Sequence, residues 1–107
     1  MDTIQQRIHE EVNSHAVVLY MKGDPTFPQC GFSQQAVSVL KKHLTDFHAV
    51  NVLLDQDIRQ GIKTFANWPT IPQLYIQGTF IGGCDIIQAI DASGELEKLL
   101  DSIGTKV

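Results

Sequence analysis

Residues 16–42, which read AVVLYMKGDPTFPQCGFSQQAVSVLKK, contain the signals of a β-strand, a loop and an α-helix in that order. The apolar run at residues 16–20 is short and β-rich, which is typical of a strand buried on both faces of a sheet. Two prolines and a glycine within residues 23–29 predict a turn-rich loop. Apolar residues then recur at helical spacing over residues 33–42, which predicts a helix with Cys30 at its N-terminal end.

The segments before and after this stretch predict further helices and a second strand. Asp2 and the glutamine three residues later have the spacing of a capping box, and the apolar residues that follow predict a helix ending near residues 13–14. Residues 47–54 are predicted as a second strand. Asp55 is predicted to cap a third helix that continues to about residue 66. The order strand, helix, strand predicts a right-handed parallel unit.

The last third of the chain predicts a hairpin followed by two helices. Residues 73–76 and 79–81 flank the pair Gln77–Gly78, a pattern typical of two antiparallel strands. A helix is expected from Asp85, and Gly94 is expected to separate it from a last short helix. The fold class is therefore α/β, with a four-stranded mixed sheet flanked by helices in a thioredoxin-like topology.

Length and composition restrict the function classes. The 107 residues suit one domain, expected over residues 1–107, and at a net charge of -4 the scattered basic residues favour neither nucleic acid nor a membrane as partner. The longest apolar run, residues 16–21, is too short to span a bilayer, and no export signal is recognised. Two cysteines make a poor disulfide framework and show no zinc-ligand spacing with the histidines, so a cytoplasmic location is expected.

Cys30 is the residue with the clearest chemical signal. A helix N-terminus offers free N–H groups and about half a positive charge, which stabilise a thiolate and lower its pKa. Lys22, at the end of the first strand, can add a cation nearby. The alternative is that Cys30 is only a small buried hydrophobe, and a loop bounded by proline and glycine is a poor place to bury it.

Three blocks of sequence resemble those of the monothiol (CGFS-type) glutaredoxins, in the form of a single-domain, bacterial-like member. The blocks are Lys22-Gly23 with Cys30-Gly31-Phe32-Ser33, then Trp68-Pro69-Thr70-Ile71-Pro72-Gln73, then Gly82-Gly83-Cys84-Asp85. The resemblance runs from about residue 4 to residue 103. It implies a thioredoxin-like fold, a cis peptide before Pro72, and an Ile71 backbone that faces the cysteine of glutathione. Family members often have Phe at that position, and the change to Ile71 is expected to alter packing more than affinity.

The resemblance also implies which residues would bind glutathione. Lys22 and Arg59 would face the glycyl carboxylate. The backbone of Cys84 and Asp85 would hold the γ-glutamyl carboxylate, and the Asp85 side chain would bind the amine. Each residue has a simpler alternative: a solvated charge for each cation, an N-cap for Asp85, and a buried thiol for Cys84.

Two aromatic residues border the predicted site. Phe32 lies in the active loop and is expected to flank the ligand. Trp68 is expected to shape its loop by packing rather than to contact the ligand. The four histidines are expected at the surface, without a role.

The number of thiols leads to a prediction about iron. Ser33 stands where dithiol relatives have a second cysteine, and it cannot resolve a mixed disulfide. A [2Fe-2S] cluster usually takes four thiolates, of which one chain offers Cys30 and one bound glutathione offers its own. We predict a homodimer bridged by a cluster on two Cys30 and two glutathione thiolates, a stoichiometry that the resemblance also implies.

The predicted function is storage and transfer of this cluster to apo iron-sulfur proteins, and the resemblance adds a BolA-type protein as a partner. Two alternatives remain open at this point. One is a glutathione-dependent thiol-disulfide oxidoreductase that removes glutathione from protein thiols, and the other is a regulatory partner protein that signals iron status.

Overall fold

The computed structural model describes residues 2–103, so Met1 and residues 104–107 of the predicted domain lie outside the described residues. The elements in chain order are α1 (Thr3–Ser14), β1 (Val17–Met21), α2 (Gly31–Lys41), β2 (His48–Asn51), a short 3-10 helix (Val52–Leu54), α3 (Gln56–Ala66), β3 (Gln73–Ile76), β4 (Thr79–Gly82), α4 (Cys84–Ser93) and α5 (Glu95–Ser102). The predicted order of helices and strands is confirmed.

The four strands form one mixed sheet in the order β2-β1-β3-β4. β1 and β2 are parallel, with Val18 opposite His48, whereas β1 with β3 and β3 with β4 are antiparallel. The parallel unit follows from the helix that connects β1 to β2, and the antiparallel pair follows from the tight turn at residues 77–78. The mixed sheet predicted from the sequence is confirmed.

β1 lies in the middle of the core, and all five of its residues are buried. Its side chains alternate between the two faces of the sheet, as the pleat requires. Val18 and Tyr20 pack with apolar side chains of α1 and α3, while Leu19 and Met21 pack with those of α2, α4 and α5. The helices therefore cover both faces of the sheet, as the apolar run at residues 16–20 predicts.

Two helix starts are set by side chains that the sequence predicts, whereas α4 begins at Cys84 with Gly83 as its N-cap, so the alternative that Asp85 is the N-cap is wrong. Asp2 Oδ1 accepts the backbone N–H of Gln5 at 2.8 Å and begins α1. Asp55 caps α3 by accepting the N–H of Ile58 at 3.2 Å. Gly94 has a φ of +85°, which separates α4 from α5.

The second strand is shorter than residues 47–54. It ends at Asn51, whose Oδ1 accepts the N–H of Leu53 and the N–H of Gly23, each at 3.0 Å. An asparagine side chain that satisfies nearby backbone groups competes with the sheet ladder, and the chain turns into a 3-10 helix. Leu54 is 84% exposed there, so its apolar character does not reflect a buried strand position.

The expectation that the histidines lie at the surface without a role is corrected at two positions. His43 Nε2 lies 2.7 Å from Asp91 Oδ1 and links the turn after α2 to α4. His48 Nε2 lies 3.1 Å from Glu11 Oε2, and its ring stacks on the exposed His15 at 3.7 Å. Both are partly buried and connect neighbouring elements, which their isolated positions in the sequence do not indicate.

None of the helices within residues 2–103 has the length and apolar character that crossing a membrane requires.

Candidate functional site

Cys30 is the N-cap residue of α2. Its backbone is extended, with φ of −152° and ψ of 155°, and its Sγ accepts the backbone N–H of Ser33 at 3.3 Å. The thiol is partly exposed. The side chain thus occupies the place where an N-cap oxygen would satisfy the free amides of the first helical turn.

The loop that leads to Cys30 is closed by backbone hydrogen bonds. The N–H of Gln29 donates to the carbonyl oxygen of Lys22 at 2.9 Å. Gly23 has a φ of +88°, and a Cβ there would lie 2.5 Å from the carbonyl oxygen of Phe27, so this position requires glycine. These contacts bring the end of β1 next to the start of α2, and therefore Lys22 next to Cys30.

Ser33 connects this loop to the sulfur. Its side chain is buried, and its Oγ accepts the backbone N–H of Lys22 at 3.0 Å. The same oxygen lies 3.3 Å from Cys30 Sγ. Because the Lys22 amide occupies one lone pair of the hydroxyl oxygen, its hydrogen can be directed at the sulfur when Cys30 is ionised.

The pKa of Cys30 reflects opposing effects. Burial favours the neutral thiol and raises the pKa, but the hydrogen bonds from the Ser33 hydroxyl and from the amides of Ser33 and Phe32 lower it. The positive charge of Lys22 lowers it further, and the net result is a pKa below the ordinary value. Cys30 is thus a partly exposed thiol poised to ionise, as the helix start predicts.

A cavity of about 190 Å³ is formed by three segments: the start of α2, residues 68–72, and the start of α4. Cys30 is the N-cap residue of α2 and is not itself among the residues that line the cavity. Its lining residues are Phe32, Trp68, Thr70, Ile71, Pro72, Gly83, Cys84, Asp85 and Ile86. Four of the predicted site residues therefore meet at one cavity although three separate blocks of sequence supply them.

The start of α4 supplies one wall of the cavity. Gly83 is the N-cap residue and has no side chain with which to cap the helix. The amides of the first turn are therefore available to an anion, and the helix dipole favours a carboxylate there. A Cβ at Gly82 would lie 2.6 Å from the Ile86 side chain, so the glycine allows the strand to approach the helix this closely.

Cys84 is the first residue of α4 and is only 6% exposed. Its thiol donates to Gln35 Oε1 at 3.2 Å. Burial raises the pKa of Cys84, and so do the negative charges of Asp85 and Cys30. The alternative that Cys84 is a buried thiol is therefore confirmed for its side chain. Binding of glutathione by its backbone stays a prediction.

Lys22 and Arg59 are predicted to bind the glycyl carboxylate, but neither is among the described residues that line the cavity. Lys22 acts on Cys30 through its charge. Arg59 lies in the first turn of α3 and is partly exposed. Their contact with glutathione stays a prediction.

The peptide between Ile71 and Pro72 is cis, as the resemblance implies.

The aromatic residues of the site differ in exposure. Phe32 is 63% exposed and lines the cavity, which is compatible with a side chain that flanks a ligand. Trp68 packs on Phe80 with ring centroids 5.6 Å apart, as a loop-shaping residue would, and it also lines the cavity.

Several residues of the site are absent from the sequence-based prediction. Ser33 is one, although its spacing from the N-cap residue, three positions later, could have identified its amide as a donor to Cys30. Thr70 and Ile86 are others, and their positions in a loop and on a helix carry no comparable signal. Among residues 2–103 there is no group of three or more histidine, cysteine, aspartate and glutamate side chains arranged to hold a metal ion.

Comparison with known proteins gives consistent matches. The glutaredoxin family model matches residues 17–81. Glutaredoxin 4 of Haemophilus ducreyi is 46% identical over 106 residues, which cover 99% of this chain and 98% of that protein. Monothiol glutaredoxin-S11 of Oryza sativa is 50% identical over 92% of this chain, which spans only 20% of that longer relative.

A solved structure agrees with the fold described above. Reduced apo GrxS14 from poplar superposes with a TM-score of 0.78 and 48% identity, covering 92% of this chain and 91% of that one. The expected thioredoxin-like fold is confirmed.

Proposed function

This chain belongs to the glutaredoxin family, among its monothiol members, and from that premise we propose that it binds glutathione beside Cys30 and holds a [2Fe-2S] cluster between two copies. Glutaredoxins as a family use glutathione. The cluster, the dimer and the delivery of iron and sulfide are the proposed part.

The observation that carries the proposal is the difference between the two thiols. Cys30 is partly exposed with a lowered pKa, whereas Cys84 is buried with a raised pKa. Each chain thus offers one accessible thiolate to a cluster that usually needs four. Cys30 from each of two copies and the thiol of each of two glutathione molecules would complete that set.

The cavity supports glutathione as the source of the other thiols. Glutathione carries two carboxylates and one ammonium group. The free amides at the start of α4 suit the γ-glutamyl carboxylate, and the exposed Asp85 carboxylate suits the ammonium group. Lys22 and Arg59 are the proposed partners of the glycyl carboxylate.

Storage and transfer of the cluster follow from this ligand set. Glutathione is held without a covalent bond, so half of the ligands can leave with modest cost, which suits a carrier. We propose apo iron-sulfur proteins as recipients and a BolA-type protein as a partner that replaces one subunit, as the resemblance implies. The cytoplasm is the proposed location, because a reactive thiolate must stay reduced.

Anaerobic reconstitution tests the proposal. Purified protein is mixed with iron, sulfide and glutathione, and the absorption spectrum and molecular mass are measured. We expect a coloured dimer that requires glutathione, is abolished by Cys30→Ser and is retained by the matched variant Cys84→Ser. Colour that survives Cys30→Ser, or that forms equally well without glutathione, would contradict it.

The lowered pKa of Cys30 also favours a second candidate, removal of glutathione from protein thiols. The Cys30 thiolate would attack the glutathione sulfur of a mixed disulfide, release the protein thiolate, and form a disulfide with glutathione. A second glutathione thiolate would then attack that disulfide and leave as oxidised glutathione. Rapid turnover of a glutathionylated peptide would favour this function, and very slow turnover would make it a side activity.

Regulation through a partner is the third candidate that the site accommodates. Such a protein would bind its partner differently with and without the cluster. Binding assays on the two forms, prepared as above, separate it from a carrier, which would lose its cluster to an apo recipient.

A further inference from the structure

Gln73 is a fully buried polar side chain at the start of β3. Its Nε2 donates to the carbonyl oxygen of Trp68 at 3.2 Å and to that of Thr70 at 3.1 Å. Its Oε1 accepts the hydroxyl hydrogen of Tyr75 at 3.0 Å. The Gln73 carboxamide therefore connects the Tyr75 hydroxyl on β3 to two backbone oxygens of the preceding loop.

The orientation of this carboxamide is determined by its partners. Backbone carbonyl oxygens only accept, so Nε2 must face Trp68 and Thr70, and Oε1 must face the hydroxyl of Tyr75. Burial raises the pKa of Tyr75, so the hydroxyl keeps the hydrogen that it donates. The Tyr75 ring is itself held between other aromatic rings, at centroid distances of 5.8 Å from Tyr20 and 5.4 Å from Phe80.

The loop that Gln73 contacts forms a large part of the cavity wall. Within residues 68–72, all but Pro69 line the cavity. Both prolines of this segment lack a backbone N–H, which limits the hydrogen bonds that the loop can make for itself. On its other side the loop lies against Gly83, where a Cβ would be 3.3 Å from the carbonyl oxygen of Pro72.

We propose that Gln73 is a positioning residue for glutathione: its carboxamide holds residues 68–72 in the conformation that forms the cavity wall, and the Tyr75 hydroxyl holds the carboxamide. The proposal deepens the proposed function and rests on it for the identity of the ligand. Without these hydrogen bonds the loop would have to be ordered during binding, and glutathione affinity would fall.

The variants separate positioning from folding. Gln73→Met keeps the length of the side chain and removes its hydrogen bonds, but it leaves the Tyr75 hydroxyl buried without its acceptor. The double variant Gln73→Met/Tyr75→Phe removes both partners and is the better-folded test. Tyr20→Phe is the matched control, because it also removes a buried tyrosine hydroxyl. The Tyr20 hydroxyl donates to Glu11 at 2.7 Å and not to Gln73.

Two measurements report on the loop and the ligand separately. Trp68 is the only tryptophan of the chain, so quenching of its fluorescence by acrylamide reports on the loop without any ligand. Calorimetric titration with reduced glutathione reports on affinity. In the double variant we expect stronger quenching and glutathione binding weakened by about tenfold, while Tyr20→Phe matches the wild type in both.

Alkylation of Cys30 by iodoacetamide completes the test, because this small reagent does not use the loop. We expect the double variant to react at the wild-type rate. Unchanged quenching and affinity in the folded double variant would overturn the proposal, as would a loss of Cys30 reactivity equal to the loss of affinity. Absence of glutathione binding by the wild type would overturn the proposed function, and the quenching would still decide whether Gln73 holds the loop.

Discussion

Cys30 and Cys84 lie at the starts of two helices, α2 and α4, that pack on the same face of the sheet. Both therefore experience the positive end of a helix dipole. Cys30 accepts the backbone N–H of Ser33 and is partly exposed, and its pKa is lowered. Cys84 donates its hydrogen to Gln35 and is buried, and its pKa is raised.

The difference shows that a helix start does not by itself produce a reactive thiolate. At Cys30 the hydrogen bonds from Ser33 and Phe32 and the charge of Lys22 lower the pKa against burial, whereas at Cys84 burial and the negative charges of Asp85 and Cys30 raise it. Burial raises the pKa of both thiols, because it penalises the charged form. Four changes test how far each of these effects accounts for the contrast between the two thiols.

Removing the Cys30 thiol has the largest expected effect. At neutral pH we expect Cys30→Ser to slow alkylation of the native protein on the order of 100-fold, because the remaining thiol is buried and mostly protonated. Cys84→Ser is the matched variant and should react like the wild type. The rate of iodoacetamide incorporation, followed by mass spectrometry, measures both. Fast alkylation of Cys84 in the folded Cys30→Ser protein would remove the contrast.

Ser33→Ala tests the hydrogen bond from the buried hydroxyl. We expect the pKa of Cys30 to rise by about one unit, because the thiolate loses a side-chain donor while the backbone donors remain. The pH dependence of thiolate ultraviolet absorbance measures it in the Cys84→Ser background. Ser38→Ala, at an exposed position on the same helix, should leave the titration unchanged. A similar shift in both variants would argue against a specific role of the hydroxyl.

Lys22→Gln tests the cation beside the thiol. We expect a smaller rise in the pKa of Cys30, roughly a few tenths of a unit, which shrinks as salt is added. The backbone N–H of residue 22 should stay on Ser33, since the substitution changes only the side chain. Lys98→Gln on α5 serves as the charge-matched control. A shift that is independent of salt would point to a structural change instead.

The smallest expected effects are on the pH dependence of stability. The contributions of the two thiols to this dependence should have opposite signs. The lowered pKa of Cys30 contributes stability above the pKa of the unfolded chain, and this is lost as pH falls through the folded pKa. The raised pKa of Cys84 contributes stability below the unfolded pKa, and this is lost as pH rises through the folded pKa.

Urea unfolding of the single variants across neutral to alkaline pH measures these slopes. Cys30→Ser should reduce the gain of unfolding free energy with rising pH, and Cys84→Ser should reduce the loss. Slopes of the same sign in the two variants would contradict the assignment of opposite pKa shifts.

Local signals in the sequence predicted much of the fold. Asp2 and Asp55 each cap a helix through a side chain that reaches an amide two or three residues away, so short spacing suffices to identify them. Gln77–Gly78 predicts a hairpin for the same reason. The prediction of a strand is wrong at residues 52–54, because the Asn51 side chain also binds the amide of Gly23, and a contact between positions so far apart in the chain has no local signal.

The site was predicted unevenly. The position of Cys30 at a helix start is predicted from the sequence, and Ile71, Cys84 and Asp85, which the resemblance implies as site residues, do meet at the cavity. The sequence indicates Ser33 only as the residue that replaces the second cysteine of dithiol relatives. The effect of its hydroxyl on Cys30 depends on the Lys22 amide that orients it, and that contact forms only when β1 and α2 come together.

The sequence by itself determined the order of helices and strands, the caps at Asp2 and Asp55 and the position of one cysteine at a helix start, because each depends on neighbours within a few residues. The mixed sheet was predicted from the order of the elements and the connections between them. Only the tertiary structure decided which thiol ionises and which loop conformation forms the cavity. Both depend on burial and on contacts between elements, such as the hydrogen bond from the Cys84 thiol to Gln35 and those from Gln73 to the loop. Those interactions exist only once the sheet and helices have packed.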